Sequence, residues 1–185
     1  IRPSRFGYNI ETGLDNAYQK TEKNYSVENI IKYAQEEFDK FVDILKYHGI
    51  NVIQFCDEID KYTPDSLFPN NWISTHADGN VVLYPMFAQN RRLERRSDIV
   101  NFLQNNFTVT NVLDKTQLYE KKNQYLEGTG SMVLDRENKI AYACLSQRTN
   151  FDLFNEWCCQ MSFQEEAEVR HVTGSLLLMI RRLEA

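Results

Sequence analysis

No apolar run in this sequence approaches the roughly 20 residues that a helix needs to cross a bilayer. The run nearest the C-terminus covers only residues 176–180, so no membrane-spanning segment is expected. Positive charge is also scarce. A net charge of -5 supplies no concentrated cationic footprint, and no nucleic-acid partner is expected. The one basic cluster, Arg91, Arg92, Arg95 and Arg96, is interrupted by Leu93 and Glu94 and reads first as the solvated start of a helix. The four cysteines, Cys56, Cys144, Cys158 and Cys159, have neither framework spacing nor the CxxC pairing of zinc sites. Reduced thiols in a cytoplasmic protein are the simplest reading. The first residue is Ile1 rather than Met, with no charged leader ahead of the folded-looking sequence, so the chain is expected to start late. What is present, 185 residues with 42% hydrophobic and 12% aromatic content, suffices for one ordinary core and one domain.

Across residues 27–48 the apolar positions Ile30, Ile31, Ala34, Phe38, Phe41, Val42 and Leu45 recur at three- and four-residue steps, which predicts an amphipathic helix. Ser26 caps its start and Gly49 ends it. Residues 50–55 are apolar and β-branched, predicting a buried strand. Residues 72–76 and 81–84 flank Ala77-Asp78-Gly79-Asn80, where Asp-Gly suits the positive φ of a tight hairpin turn. A helix follows from near Arg91 through Ile99, Phe102 and Leu103, and residues 108–113 alternate as a strand does. The order is β, β, α, β. It begins again with residues 131–134, a turn at Arg136-Glu137-Asn138-Lys139, residues 140–144 and a helical stretch containing Leu153, Phe154 and Trp157. The two turns lie about 60 residues apart, which suggests a repeated unit; chance recurrence of hairpin-then-helix in an α+β protein is the alternative. Residues 164–168 are polar and acidic, and residues 175–183 fit either a strand or a short helix.

Several stretches together carry a resemblance. They are Arg2-Pro3 with Asn9, Glu11, Thr12, Asn16 and Gln19; Asp65-Ser66-Leu67-Phe68-Pro69-Asn70-Asn71-Trp72; Tyr84-Pro85-Met86 with Arg91-Arg92-Leu93-Glu94; Leu126-Glu127-Gly128-Thr129-Gly130-Ser131; and Ser146-Gln147-Arg148-Thr149. In this order and spacing the chain resembles the guanidino-group-modifying superfamily of arginine deiminases, dimethylarginine dimethylaminohydrolases and amidinotransferases, in its citrulline- and arginine-handling hydrolase branch. The resemblance implies an α/β fold: an incomplete pentein-type propeller of ββαβ modules, about three of five, over residues 1–163, followed by a divergent tail at 164–185. An unclosed propeller implies self-association, because apolar module sides would otherwise face water.

The implied ligand is a small guanidino or ureido amino acid, handled without metal or cofactor. A guanidinium is a planar cation that presents several N–H donors, so carboxylates and amide oxygens hold it best. Glu127 matches the family's guanidinium-binding carboxylate, the alternative being an exposed loop glutamate. Asp65, Asn70 and Asn71 match the segment on the opposite side of the substrate, the alternative being turn chemistry in Pro64-Asp65 and Pro69-Asn70-Asn71. Asn71 stands where several relatives place an aspartate, and its uncharged amide suits a neutral ureido group such as that of citrulline. Arg91 or Arg92, and Arg148, match positions that clamp the substrate α-carboxylate; arginine forks fit that group.

The family's reaction uses a cysteine thiolate to attack the guanidino carbon and a histidine to shuttle the proton. None of the four cysteines occupies the family's position, and all four read as small core residues. His171, in Arg170-His171-Val172-Thr173-Gly174, is the nearest candidate for the histidine, although it comes early and lacks the flanking Tyr and Asn. His48 and His76 read as structural or exposed. Three outcomes stay open: a truncated arginine- or citrulline-handling hydrolase, a noncatalytic binding remnant, and an α+β interaction domain.

Overall fold

In a computed structural model of the chain, residues 1–13, 25–163, 166–172 and 175–181 are described, the last two segments as backbone only. The expected Asn16 and Gln19 lie outside these residues. The chain divides into two compact units, one of residues 1–69 and 88–96 and one of residues 70–87 and 97–185.

The first unit contains α1 (Ile10–Gly13), α2 (Val27–Tyr47) and α3 (Gln89–Arg92). Ser26 Oγ accepts from the Asn29 N–H at 3.3 Å, and Gly49 leaves the helix at φ 78°. Both ends of α2 are therefore where side-chain capping and positive φ predict them. The N-terminal segment is fastened to α2 by a two-pronged Arg2–Asp39 pair at 2.8 Å and by Gln35 Nε2 donating to the Pro3 carbonyl at 2.8 Å. Two expectations fail here. Phe41 is 59% exposed rather than inward, and Val42 is the buried hydrophobe of the helix. Residues 50–55 form no strand. The one isolated parallel bridge nearby is made by the next residue, Cys56, with Arg2, and Ile50 and Ile53 are exposed. A strand needs a ladder of neighbours, and its β-branched side chains alone do not supply one.

The second unit holds two sheets. In the first, β1 (Ile73–Thr75) pairs antiparallel with β2 (Asn80–Leu83), and β2 pairs parallel with β3 (Asn111–Asp114) after a crossover through α4 (Ser97–Asn106). This is the expected ββαβ order, with the predicted single helix from Arg91 divided into α3 and α4. The turn at Gly79, φ 84°, carries Asp78 Oδ1 accepting from the Asn80 N–H at 3.0 Å. After α5 (Thr116–Lys121) and the short turn α6 (Gly128–Ser131), β4 (Met132–Asp135) pairs antiparallel with β5 (Ile140–Leu145), followed by α7 (Phe151–Gln160).

The order then changes. β6 (Glu166–Val172) and β7 (Ser175–Arg181) form a hairpin, and β7 lies antiparallel against β5, so the sheet runs β4-β5-β7-β6. The second ββα does not close with a parallel strand as the first does. The core packs Val82, Tyr84, Leu126, Met132, Leu153, Phe154 and Trp157 between these sheets and α7. Of the cysteines only Cys158 joins it; Cys56, Cys144 and Cys159 are exposed, contrary to the core reading. Cys144 alternates with the buried Ala141 and Ala143 along β5, which turns its side chain to the opposite face. Among the described residues no helix is long and apolar enough to cross a membrane.

The two hairpin turns touch. Arg136 Nη1 lies 3.0 Å from His76 Nδ1, and His76 Nε2 lies 2.8 Å from Ser74 Oγ, which in turn is 2.7 Å from Tyr84 Oη. A guanidinium only donates, so Nδ1 accepts and the neutral ring carries its proton on Nε2. Burial, with the Arg136 charge second, lowers the His76 pKa from 6.5 to about 4. An unfolded chain therefore takes up a proton below about pH 6.5 that the folded ring refuses until about pH 4. Folding stability is expected to fall across that window and level off beneath it, by about 1 kcal/mol once solvent screening of the half-buried ring is allowed for. Urea unfolding at pH 7.5, 6, 5 and 4 checks this, and His76→Gln should flatten the dependence.

Candidate functional site

The loop between α5 and β4 turns around a buried acid. Glu127 is 1% exposed, and its Oε1 accepts from the Phe87 N–H at 3.0 Å, while its Oε2 stands 4.0 Å from Arg148 Nη1. A buried carboxylate is tolerated only with such partners. The alternative of an exposed loop glutamate is removed by this burial. Its backbone is held as well: the Glu127 N–H donates to Ser131 Oγ at 2.9 Å, and that hydroxyl donates to the Arg148 carbonyl at 2.9 Å. Arg148 itself sits in a tight reversal where the Arg148 N–H donates to Ser146 Oγ at 3.1 Å, and Thr149 bridges to both Ser146 and Leu126.

Asn70 and Asn71 close over the same loop. Asn70 Nδ2 donates to Thr129 Oγ1 at 2.8 Å. Gly128 has φ 43°, and a β-carbon there would stand 2.4 Å from the Asn70 carbonyl oxygen, a spacing no side chain tolerates. A β-carbon at Gly130 would come 1.9 Å from Asn71 Nδ2. The glycines of Glu127-Gly128-Thr129-Gly130 therefore let the two asparagines approach the loop backbone. Within this unit four expected residues, Asn70, Asn71, Glu127 and Arg148, are gathered at one place.

The other expected residues lie in the first unit and form a second buried cluster. Arg91, 4% exposed, is bonded to Glu94 at 2.9–3.2 Å through Nε and Nη2; Nη2 also donates to the carbonyls of Asp65, at 3.4 Å, and Phe68, at 3.3 Å. Asp65 Oδ2 lies 3.8 Å from Arg91 Nε and accepts from Asn9 Nδ2 at 2.6 Å and Thr12 Oγ1 at 3.4 Å. Asn90 Nδ2 donates to Asn9 Oδ1 at 2.6 Å, and the Asn90 N–H donates to Glu11 Oε2 at 3.1 Å. Arg91 thus acts as the internal counter-ion of Asp65 and Glu94, while Arg92 beside it is half-buried.

Sequence reasoning assigned no role to Asn90, Glu94 or Ser131. The i,i+3 spacing of Arg91 and Glu94 was the one available signal. His171 lies on β6 opposite Leu176, with only its backbone described. Among the described residues no group of three or more His, Cys, Asp or Glu is placed to hold a metal ion.

A family model described as "N,N dimethylarginine dimethylhydrolase, eukaryotic" matches residues 2–173, nearly the whole chain. The chain belongs to this family. No curated protein matches it. Solved structures are similar in fold. The N-terminal domain of ArgZ, an arginine dihydrolase from the ornithine-ammonia cycle in cyanobacteria, bound to substrate, aligns at 23% identity and TM-score 0.53 over 70% of this chain and 44% of its own. Unliganded AgrE aligns at 22% identity and TM-score 0.56, over 82% of this chain and 20% of its own. AgrE with ornithine and NAD+ aligns at 25% identity and TM-score 0.51, over 65% of this chain and 16% of its own. The chain thus spans less than half the length of each. The expected kinship with the guanidino-group-modifying superfamily is confirmed, and the mixed α/β fold is similar to that of its arginine dihydrolases.

The two loop glycines separate packing from recognition. Gly128→Ala should destabilise the fold by about 2–4 kcal/mol in urea unfolding, because backbone has to move at a strained φ. Gly130→Ala should cost under about 1 kcal/mol, since only the Asn71 side chain must turn away. A shift of the Asn71 side-chain amide resonance would report that turn.

Proposed function

We propose that this chain carries the ligand-recognition part of a hydrolase acting on the guanidino or ureido group of an arginine-derived amino acid. The observation that supports it is the buried Glu127 carboxylate, fixed by the Phe87 N–H and standing beside Arg148 with Asn70 and Asn71 on the same loop. In this reading Glu127 accepts in-plane N–H bonds from the ligand head, the asparagine amides supply neutral acceptors, and Arg148 meets the α-carboxylate. The neutral amide at Asn71 favours a ureido head, as in citrulline. Asp65, Arg91 and Arg92 are proposed for the same ligand on the resemblance alone. The buried pairing of Arg91 with Glu94 suits a positioning role, and Arg92 is then the better candidate for a carboxylate clamp.

The chemistry proposed for the whole enzyme is covalent. A cysteine thiolate attacks the guanidino carbon, a histidine delivers a proton to the departing amine, and water then releases the ureido product and restores the thiol. None of Cys56, Cys144, Cys158 and Cys159 is proposed as the nucleophile, and His171 is the sole histidine proposed for proton transfer. Turnover by this chain alone is therefore not expected, and a binding role without turnover is the second reading. The fold is read as part of a pentein-type propeller, about three modules of five, with residues 1–163 as the propeller portion and 164–185 as a divergent tail.

Calorimetry of the full chain with L-citrulline and L-arginine tests the site. Glu127→Gln is expected to weaken binding at least tenfold, the loss of a charged acceptor in a dry site; unchanged affinity would reject the role given to Glu127. Self-association is proposed as well, supported by the apolar side chains that α2 leaves in solvent, Phe41, Ile44 and Tyr47. Sedimentation velocity should show dimers or larger species at micromolar concentration, and a single monomeric species would count against an unclosed propeller.

A further inference from the structure

The first unit contains a cavity of about 630 Å³ beside α2. Tyr33, Glu37 and Phe41 follow one another on the helix at steps of four, with Phe38 next to them, so they make one stripe about 12 Å long at 1.5 Å per residue. Phe6, Tyr25 and Phe68 line the cavity with them. We propose that this cavity is a binding site for a small quaternary ammonium ion, with Glu37 as its counter-ion. The proposal owes nothing to the assignment of Glu127, since every lining residue belongs to the first unit.

Two observations carry it. The first is that six aromatic rings are gathered where water still reaches them. Tyr25, Tyr33, Phe41 and Phe68 are 43–59% exposed, and Tyr25 meets Tyr33 edge to face with ring centroids 5.7 Å apart, which sets two walls at right angles. The face of an aromatic ring carries negative potential, and rings set around a corner are how proteins hold quaternary ammonium groups. The second is a carboxylate with no partner in the protein. Glu36 pairs with Lys32 at 3.9 Å and Asp39 with Arg2 at 2.8 Å, whereas Glu37 has neither hydrogen bond nor ion pair among the described residues. The helical spacing puts that carboxylate between the rings of Tyr33 and Phe41.

The ligand class follows from what this lining can satisfy. An anion meets ring faces and a carboxylate of the same sign, and is repelled. A primary ammonium brings three N–H donors, and the lining side chains offer only Glu37 and the hydroxyls of Tyr25 and Tyr33 as acceptors. A quaternary ammonium has no N–H to leave without an acceptor, and its methyl groups cover the rings. A neutral ligand of the same shape gains the apolar contact alone, so the charge is what the site discriminates.

The test compares choline with 3,3-dimethylbutanol, which has the same shape and no charge, by NMR titration of the full chain as wild type, Glu37→Gln and Tyr33→Ala. Both substitutions are at exposed positions, and circular dichroism confirms folding of each. Wild type should bind choline roughly tenfold more tightly than the alcohol. Glu37→Gln should remove most of that preference, and Tyr33→Ala should weaken choline several-fold. Equal affinity for the two probes, no binding of choline, or a preference unchanged in Glu37→Gln would each overturn the proposal. A second copy of the chain is the competing occupant, because Phe41 also lies on the face proposed for self-association. Choline binding that fades as protein concentration rises, in step with larger species in sedimentation velocity, would give the cavity to that contact and overturn the cation site.

Discussion

Satisfying a carboxyl group buried at 1% exposure is the constraint on which the second unit is organised. Glu127 has to find donors without water, and it takes them from two segments remote in sequence: the backbone beyond β2 at Phe87 and the reversal after β5 at Arg148. Each of those segments is fixed by its sheet, β2 between β1 and β3 and β5 between β4 and β7. The acid is therefore where the two sheets of this unit deliver a donor to one loop. Removing one partner of such a group leaves an uncompensated buried charge, which is costlier than the bond itself was worth.

The first unit solves a related problem with a different balance. Asp65 and Glu94 are both buried and both lie beside the guanidinium of Arg91, and the amides of Asn9 and Asn90 bond to each other while Asn9 also serves Asp65. Side-chain networks of this kind fix geometry when every member is satisfied. Within the proposed function, the buried pairing of Arg91 with Glu94 gives Arg91 a positioning role and leaves the proposed clamp to its half-buried neighbour Arg92.

What the sequence made legible was local. Ser26 and Gly49 bound α2 because capping and positive φ act within a few residues. Asp78-Gly79 and the turn ending at Lys139, φ 59°, mark their hairpins for the same reason. The strand expected at residues 50–55 is absent because strand formation depends on a partner, and side-chain branching carries no information about whether one is alongside. The inward face of α2 was misjudged at Phe41 on similar grounds: periodicity defines a stripe, but what covers each part of it is decided elsewhere. At the site, Glu127, Asn70, Asn71 and Arg148 were legible as a group only through family-like motifs. Their true supports, the Phe87 N–H and the Ser131 hydroxyl, include a backbone group that no residue type announces.

The parallel pairing of β2 with β3 carries a kinetic consequence. The β1–β2 hairpin closes across a four-residue turn and can form in roughly microseconds, the usual pace of a hairpin. β3 cannot join by local closure: the chain has to leave the sheet, build α4 and return on the far edge before the Asn80–Asn111 register exists. Loop closure over that distance precedes any stabilising contact, which raises contact order and slows the collapse of the sheet. Until β3 arrives, the outer edge of β2 is an open row of backbone donors and acceptors with Val81 and Val82 alongside, and it is during this interval that the chain is most vulnerable to pairing with another copy of itself.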